Sequence, residues 1–458
     1  MCSSDLIFLS GSKFADTVWS GAGEDAFWGD DGDDTIHAGG GNDALNGQNG
    51  NDQLHGDAGV DFVNGDAGND TLFGGGDRDY LDGGSDDDTL RGGEQNDSLL
   101  GGAGVDTLMG EGGDDSLFGD ADDALIDGGA GLDSVFMDFA ALTTGITFSA
   151  AMPMAEFEIE GTIVRNVERL SITGTQGDDH LTAYDSSTNF YGEAGNDTLV
   201  GGAAYDLLVG GEGDDSIYGG GTGDNLYGQE GSDLIYGQLG NDFIYGGEDD
   251  DELYGDAGDD NLFGDSGNDR LEGGAGSDRL SGLSDDDTLM GGDGGDTLFG
   301  DFGNDMLFGE AGNDTLEGGR YSDVLEGGEG NDVLRGGAGL DQLNGGNGDD
   351  VIAGGSDKDI LTGGAGADIF EFSMEIGGRL YEPDSKPGGG GRDIITDFER
   401  GLDRIQLNFT FEALTFQTIA NGLIVYVDYR GDGIQYGSDF GLQLTGITTL
   451  DVSDFILA

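Results

Sequence analysis

The sequence predicts an all-β fold: a parallel β-roll, a form of β-helix solenoid, wound from nonapeptide repeats in two blocks and closed by a small β-rich C-terminal capping region. Two observations carry that prediction. A nine-residue pattern, G-G-x-G-x-D-x-U-x with U a large apolar residue, runs through most of the chain. Composition then removes the alternatives. Of 458 residues, 97 are Gly and 3 are Pro, and 95 Asp plus Glu face 16 Lys plus Arg, a formal net charge of −79. A collagen needs roughly one Gly in three with abundant Pro. A chain this acidic repels nucleic acid. No apolar run reaches the ~18 residues of a membrane span. So much like charge opposes compaction, so folding requires a cationic partner, either polycations or metal ions.

Residues 1–10 read as a lead-in strand, Leu6-Ile7-Phe8-Leu9, too short and without the basic flank of a signal peptide. Met1-Cys2-Ser3-Ser4-Asp5-Leu6 matches what a common short-read sequencing adaptor encodes in one frame. The first six residues are therefore expected to be read-through, with the natural chain extending upstream. Cys2 is the one cysteine, so neither an intrachain disulfide nor a cysteine zinc cluster can form.

Residues 11–136 hold 14 consecutive nonads and residues 174–371 hold 22 more. Gly101-Gly102-Ala103-Gly104-Val105-Asp106-Thr107-Leu108-Met109 and Gly327-Gly328-Glu329-Gly330-Asn331-Asp332-Val333-Leu334-Arg335 show the form. Position six is Asp in 34 of 36 nonads, Ala124 and Thr188 being the exceptions, and position eight is apolar in all 36. Gly at positions one, two and four permits a tight turn with positive φ. The tripeptide x-U-x is a minimal strand with one side chain inward and two outward. Turn, strand, turn, strand makes an 18-residue coil that stacks on the next through parallel strands. Two core side chains per coil cannot offset about 1–2 kcal/mol of backbone entropy per ordered residue. The aspartates must therefore contribute as ligands. Carboxylates beside free turn carbonyls form an all-oxygen environment, which selects calcium over zinc or copper. Same-edge turns lie two nonads apart, so an ion fits between turn n and turn n+2. That arrangement offers about 12 sites in the first block and about 20 in the second, up to about 30 calcium ions in all.

This pattern resembles the RTX (repeats-in-toxin) calcium-binding repeat. The resemblance implies a right-handed parallel β-roll. It also implies export from a bacterium through a type I secretion channel in an unfolded, calcium-free state, with folding outside the cell. Carried onto this chain, it implies metal ligation by the position-six aspartates together with glycine carbonyls of the turns. In the first block these are Asp34, Asp43, Asp52, Asp61, Asp70, Asp79, Asp88, Asp97, Asp106 and Asp115. In the second they are Asp197, Asp206, Asp215, Asp224, Asp233, Asp242, Asp251, Asp260, Asp269, Asp278, Asp287, Asp296, Asp305, Asp314, Asp323, Asp332, Asp341, Asp350 and Asp359. About one nonad in four is expected to be a spacer, because position four departs from Gly in 12 of them, for example at Phe14, Gln95, Ala204 and Tyr321.

Some departures are periodic. Asp249, Asp285, Tyr321 and Asp357 replace the position-four Gly every 36 residues, and Asp86 and Asp122 do so in the first block. They mark either a duplicated unit with altered sites on one edge or a duplication relic with no effect on binding. Aromatics also align at the outward position nine. Tyr218, Tyr236 and Tyr254 form one expected ladder and Tyr227, Tyr245 and Phe263 another. Each is either a stabilising stack or an exposed platform for a glycan or matrix partner.

Residues 137–173 interrupt the array with strand-like Ile146-Thr147-Phe148 and Thr162-Ile163-Val164, ending in Leu170-Ser171-Ile172-Thr173, a second lead-in strand. Residues 372–458 carry little of the charge excess. Pro383 to Gly391 reads as a loop. Gly391-Arg392-Asp393-Ile394-Ile395-Thr396-Asp397-Phe398 and Gly401-Leu402-Asp403-Arg404-Ile405-Gln406-Leu407 resemble the segment that ends RTX regions in serralysin-like secreted proteins. The tail Asp454-Phe455-Ile456-Leu457-Ala458 resembles a type I secretion signal.

Catalytic signatures are not found in the sequence. His37, His55 and His180 fall at outward strand positions outside any HExxH motif and read as solvated surface. No GxSxG elbow and no phosphate loop occur. The first functional reading is a calcium-binding module without its own catalysis, a folding trigger and rigid stalk. A second is the tail of a secreted protease, lipase or alginate epimerase whose catalytic domain lies upstream. A third is a surface adhesin.

Overall fold

The computed structural model describes residues 8–149, 156–183, 187–372, 375–376, 379–380, 392–407, 413–428 and 440–457. The expected read-through segment with Cys2, the loop from Pro383 to Gly391 and the terminal Ala458 lie outside the described residues. Among the described residues, regular structure is β-strand apart from one 3-10 turn at Val452–Asp454. Among the same residues, no helix is long and apolar enough to cross a membrane. The chain divides into two compact units, Met1–Glu212 and Gly213–Ala458.

In the first unit, parallel strands stack at an offset of eighteen residues because alternate nonads feed alternate faces. Leu54 pairs with Leu72 and Leu72 with Leu90 on one face, while Leu45 pairs with Val63 and Val63 with Leu81 on the other. This is the predicted solenoid register. The strands are longer than the expected tripeptide: Gln53–Ala58 and Thr71–Gly76 each run six residues. Pairing continues through positions one to three, past a position-two residue in the left-handed region, such as Asp57 at φ 71°. The position-eight side chains form the core, with Leu54, Val63, Leu72 and Leu81 all fully buried.

The interruption at residues 137–173 leaves one face of this unit continuous. Ser134–Asp138 pairs in parallel with Arg169–Thr173, which pairs with Thr188–Ala194. The opposite face changes sheets. Leu125–Ala130 pairs with Thr162–Arg165, against which Phe157–Ile159 lies antiparallel. A new sheet then starts where Thr147–Ser149 pairs with His180–Thr182. The inserted chain thus forms one enlarged coil, and Phe139, Ile146 and Phe148 are buried in it.

The second unit repeats the same stacking, with Ile235 on Leu253 and Leu253 on Leu271 along one face and Ile244 on Leu262 along the other. The predicted aromatic ladders are present as stacks. Tyr236 lies 5.4 Å from Tyr218 and 4.7 Å from Tyr254 between ring centroids, and Tyr245 lies 5.3 Å from Tyr227 and 4.8 Å from Phe263. Beyond the nonads the coil continues. Asp393–Ile395 stacks in parallel on Ile360–Ala365, Arg404–Leu407 on Ile369–Phe372, and Phe455–Leu457 on Arg404–Leu407. Ala413–Ile419, Gly422–Asp428 and Phe440–Thr445 then add antiparallel strands beside Asp393–Ile395. A parallel edge is thereby covered rather than left open to another chain.

Candidate metal centre

The nonad places its Asp at the end of each turn, one residue before the strand, and the eighteen-residue register then stacks these side chains in rows. Every predicted ligand from Asp34 to Asp115 and from Asp197 to Asp359 is buried, at most 3% exposed. One carboxylate oxygen in each row is spent on the backbone. Asp260 Oδ1 accepts the N–H of Asp242 at 2.7 Å, and Asp278 Oδ1 accepts that of Asp260 at 2.8 Å. Asp61 and Asp79 do the same for Asp43 and Asp61, at 2.8 and 2.9 Å. The aspartate is therefore part of the coil-to-coil ladder before any ligand is considered.

The other oxygen is the unusual one. Oδ2 of Asp43, Asp61, Asp79, Asp242, Asp251 and Asp260 is buried with no hydrogen-bond partner. A buried acceptor without a donor is expensive, and a buried anion without one more so. Oδ2 of Asp61, Asp79, Asp251 and Asp260 packs directly against the Gly five residues earlier, where the next coil's carbonyl also arrives. A Cβ added to Gly255 would lie 2.5 Å from Asp260 Oδ2 and 2.6 Å from Gly273 O. At Gly309 the same point is 2.6 Å from Asp314 Oδ2 and 2.5 Å from Gly327 O. A carboxylate oxygen and a carbonyl oxygen brought together against a residue without a side chain, repeated up the stack, form the all-oxygen surroundings that a hard cation such as calcium takes.

Electrostatics point the same way. Burial, with like-charged aspartates one coil above and below, pushes the carboxyls of Asp79, Asp251 and Asp287 up to about 8, against the ordinary 3.8. The backbone hydrogen bond opposes that rise without cancelling it. These groups call for a positive charge.

The rows also have exceptions. Ala124 leaves no gap, because Asp123 steps in: its Oδ1 accepts the Asp106 N–H at 3.2 Å. Thr188 has no carboxylate, and its N–H and hydroxyl both donate to Asp206 Oδ1, at 2.7 and 2.8 Å. Asp206 differs from the other predicted ligands, since the Gly202 N–H donates to its Oδ2 at 2.7 Å. Its own turn supplies the donor there, as Thr175 does for Asp179 and Glu399 for Asp403. The periodic departures at position four keep the turn. Asp86, Asp249, Asp285, Tyr321 and Asp357 all hold φ of 76–79°, and Oδ2 of Asp88, Asp251, Asp287 and Asp323 in those nonads has no partner.

Sequence reasoning missed several members of the rows. Asp133 and Asp368 satisfy the nonad and are buried with an unpartnered Oδ2. Asp393 and Asp403 extend the rows past the repeats, accepting the N–H of Asp359 and Asp368 at 3.1 and 3.2 Å. Glu168 fills the equivalent place for Asp133 across the enlarged coil, at 2.7 Å. The signal for Asp393 and Asp403 was the D-x-U spacing itself, Asp393 before buried Ile395 and Asp403 before buried Ile405. The three histidines do sit at outward positions, but His37 and His55 are half-buried in a ring stack rather than solvated.

Comparison with known proteins follows the same residues. The family described as RTX calcium-binding nonapeptide repeat (4 copies) matches in overlapping segments between residues 8 and 135 and between residues 191 and 370, from 8–36 to 336–370. Among solved structures, the AlgE6R2 subunit of the Azotobacter vinelandii mannuronan C5-epimerase is 30% identical, over 31% of this chain and 91% of that one, with a TM-score of 0.24. The AlgE6R3 subunit of the same enzyme is 26% identical, over 38% of this chain and 80% of that one, with a TM-score of 0.20. No curated protein matches the chain.

Proposed function

This chain belongs to the family of RTX calcium-binding nonapeptide-repeat proteins, and we propose that it is a calcium-triggered folding module of a secreted bacterial protein. The observation that carries the reading is the row of buried Oδ2 atoms without a hydrogen-bond donor, packed beside glycine carbonyls of the next coil. The position-six aspartates and the position-one glycine carbonyls of the following coil are the ligands in this reading. Calcium, when bound, supplies positive charge and several oxygen-directed bonds at once. The aspartates hold the coils in register through Oδ1 and present Oδ2 to the ion. The glycines let Oδ2 and the next coil's carbonyl approach each other, since a side chain there would meet both oxygens at 2.5–2.6 Å, as at Gly255 and Gly309.

Without the ion, the chain carries a charge of −79 and rows of aligned buried carboxylates. It therefore stays unfolded where calcium is scarce, as inside a cell, and folds where calcium is abundant, outside it. Export through a type I channel, which needs an unfolded chain, fits this order of events, with the C-terminal strands as cap and signal. Each folded unit is then a stiff spacer, since every coil is pinned to its neighbours by backbone and side chain alike.

Circular dichroism of the full chain titrated with calcium, with magnesium as control, tests the proposal. The expected result is a cooperative gain of β signal with calcium alone, because magnesium demands tighter octahedral geometry and keeps its waters. A chain already β-structured in chelator, or equally responsive to magnesium, would overturn it.

A further inference from the structure

The calcium reading accounts for the aspartate rows but not for a second cluster on the outer surface of the first unit. Position nine of successive same-face nonads points outward in register, so Trp19 pairs with His37, His37 with His55, and His55 with Phe73. The rings stack, at centroid distances of 3.7, 4.1 and 4.3 Å. The aromatic neighbours above and below hold the two imidazoles in place.

A third group reaches the pair by a rule that recurs along the coil. Position two takes a left-handed φ, which brings its side chain beside position nine of the coil before, twenty residues earlier. Arg91 meets Glu111 this way at 3.1 Å, Ser281 meets Asp301 at 3.1 Å, and Ser10 meets Asp30 at 2.8 Å. His37 meets Asp57 by the same rule, its Nδ1 lying 3.7 Å from Asp57 Oδ2, with Asp57 at φ 71°. One donor atom from each of His37, His55 and Asp57 then falls within 4.8 Å of the other two.

We propose that His37, His55 and Asp57 form a surface site for a zinc-class divalent cation, separate from the calcium rows. Two imidazoles and one carboxylate suit zinc or copper, whereas calcium takes oxygen ligands alone. Three protein ligands leave a fourth tetrahedral position for water. Two nitrogens on a tetrahedral zinc lie about 3.3 Å apart, given bonds of about 2.0–2.1 Å. The two rings close that gap by turning about their own side-chain torsions, with the backbone unmoved. That turn breaks the ring stack, so Trp19, which covers His37, reports it.

The test titrates zinc chloride into the full, calcium-saturated chain, reading tryptophan emission and bound zinc per chain. One tight zinc with a change in emission is expected. His37→Gln and His55→Gln should each weaken it by roughly tenfold or more, the scale at which even supporting residues of metal sites act. His180→Gln should leave it unchanged. Asp57→Asn tolerates the left-handed turn, so it tests the carboxylate in a chain that folds as before, and it should weaken zinc binding too. Circular dichroism in calcium confirms each fold. Undiminished zinc binding in the doubly substituted His37→Gln/His55→Gln chain, or no tight zinc in the unsubstituted one, would overturn the proposal and leave the rings a purely structural stack.

Discussion

At the residue scale, a row aspartate such as Asp260 gives Oδ1 to the backbone of the neighbouring coil and keeps Oδ2 without a donor, the oxygen we propose as the calcium ligand. Asparagine in its place keeps an oxygen for the ladder hydrogen bond but loses the charge. Asp260→Asn is expected to remove one calcium and to cost about 1.4 kcal/mol at ten times the dissociation constant, read as a lower bound-calcium count and a higher calcium midpoint. Gly255→Ala should do the same with every carboxylate retained, because its methyl would fall 2.5 Å from Asp260 Oδ2 and 2.6 Å from Gly273 O and must displace both oxygens. An unchanged calcium count in both variants would show that Asp260 Oδ2 and Gly273 O do not hold the metal. Tyr321 tests the turn. It holds φ 79° and is 61% exposed, so its ring has little packing to lose. A left-handed φ costs a bulky residue about 1–2 kcal/mol, part of which glycine returns as chain entropy. Tyr321→Gly should therefore stabilise its coil by about 0.5–1 kcal/mol, seen as slower hydrogen exchange at neighbouring amides.

At the element scale, each strand is held by its backbone ladder, by one apolar side chain inside and by its outward neighbours. In the second unit, Tyr236 is stacked between Tyr218 and Tyr254. Stacked aromatic pairs contribute about 0.5–1.5 kcal/mol each beyond burial. Tyr236→Ala should destabilise the surrounding coils by about 1–3 kcal/mol in denaturant while leaving the calcium count unchanged. A variant of unaltered stability would mean that the ladder serves contact with a partner rather than the sheet. The C-terminal strands belong to the same scale. Asp393 and Asp403 carry the aspartate rows onto chain that no longer follows the nonad. The cap thus joins the repeats through the same bond that joins repeats to each other.

At the scale of the whole molecule, the governing quantity is charge. Buried aspartates whose pKa is pushed to about 6, 7 or 8 bind protons more tightly folded than unfolded. Their protonation favours the fold. That stabilisation is complete below the unfolded value near 4 and is lost as pH rises through about 6 to 8. Without calcium, acidification from neutral pH to about 4 should therefore recover part of the β signal, because protons do there what calcium does at neutral pH. With calcium present, the calcium midpoint should rise as pH falls, since protons compete for the same oxygens. A calcium-free chain whose circular dichroism is indifferent to pH over this range would show that the buried carboxylates do not control folding.

Much of this was legible in the sequence because a nonapeptide repeat constrains itself. The eighteen-residue register, the inward leucines, the rows of buried aspartate and the aromatic ladders all follow from a period that holds over 36 nonads. Where the period broke, spacing offered less: D-x-U still marks Asp393 and Asp403, but not their place in the rows. Asp123 replacing Ala124, Glu168 bridging the enlarged coil, and Asp393 and Asp403 continuing the rows became apparent only when distant segments were brought side by side. The same holds for Asp57 beside His37, a pair that depends on a left-handed residue turning its side chain toward the preceding coil. The sequence by itself determined the coil and its calcium-binding repeat, because both recur locally. Tertiary structure decided which oxygens remain without a hydrogen-bond donor and which side chains meet across coils, because both depend on contacts between residues far apart in the chain.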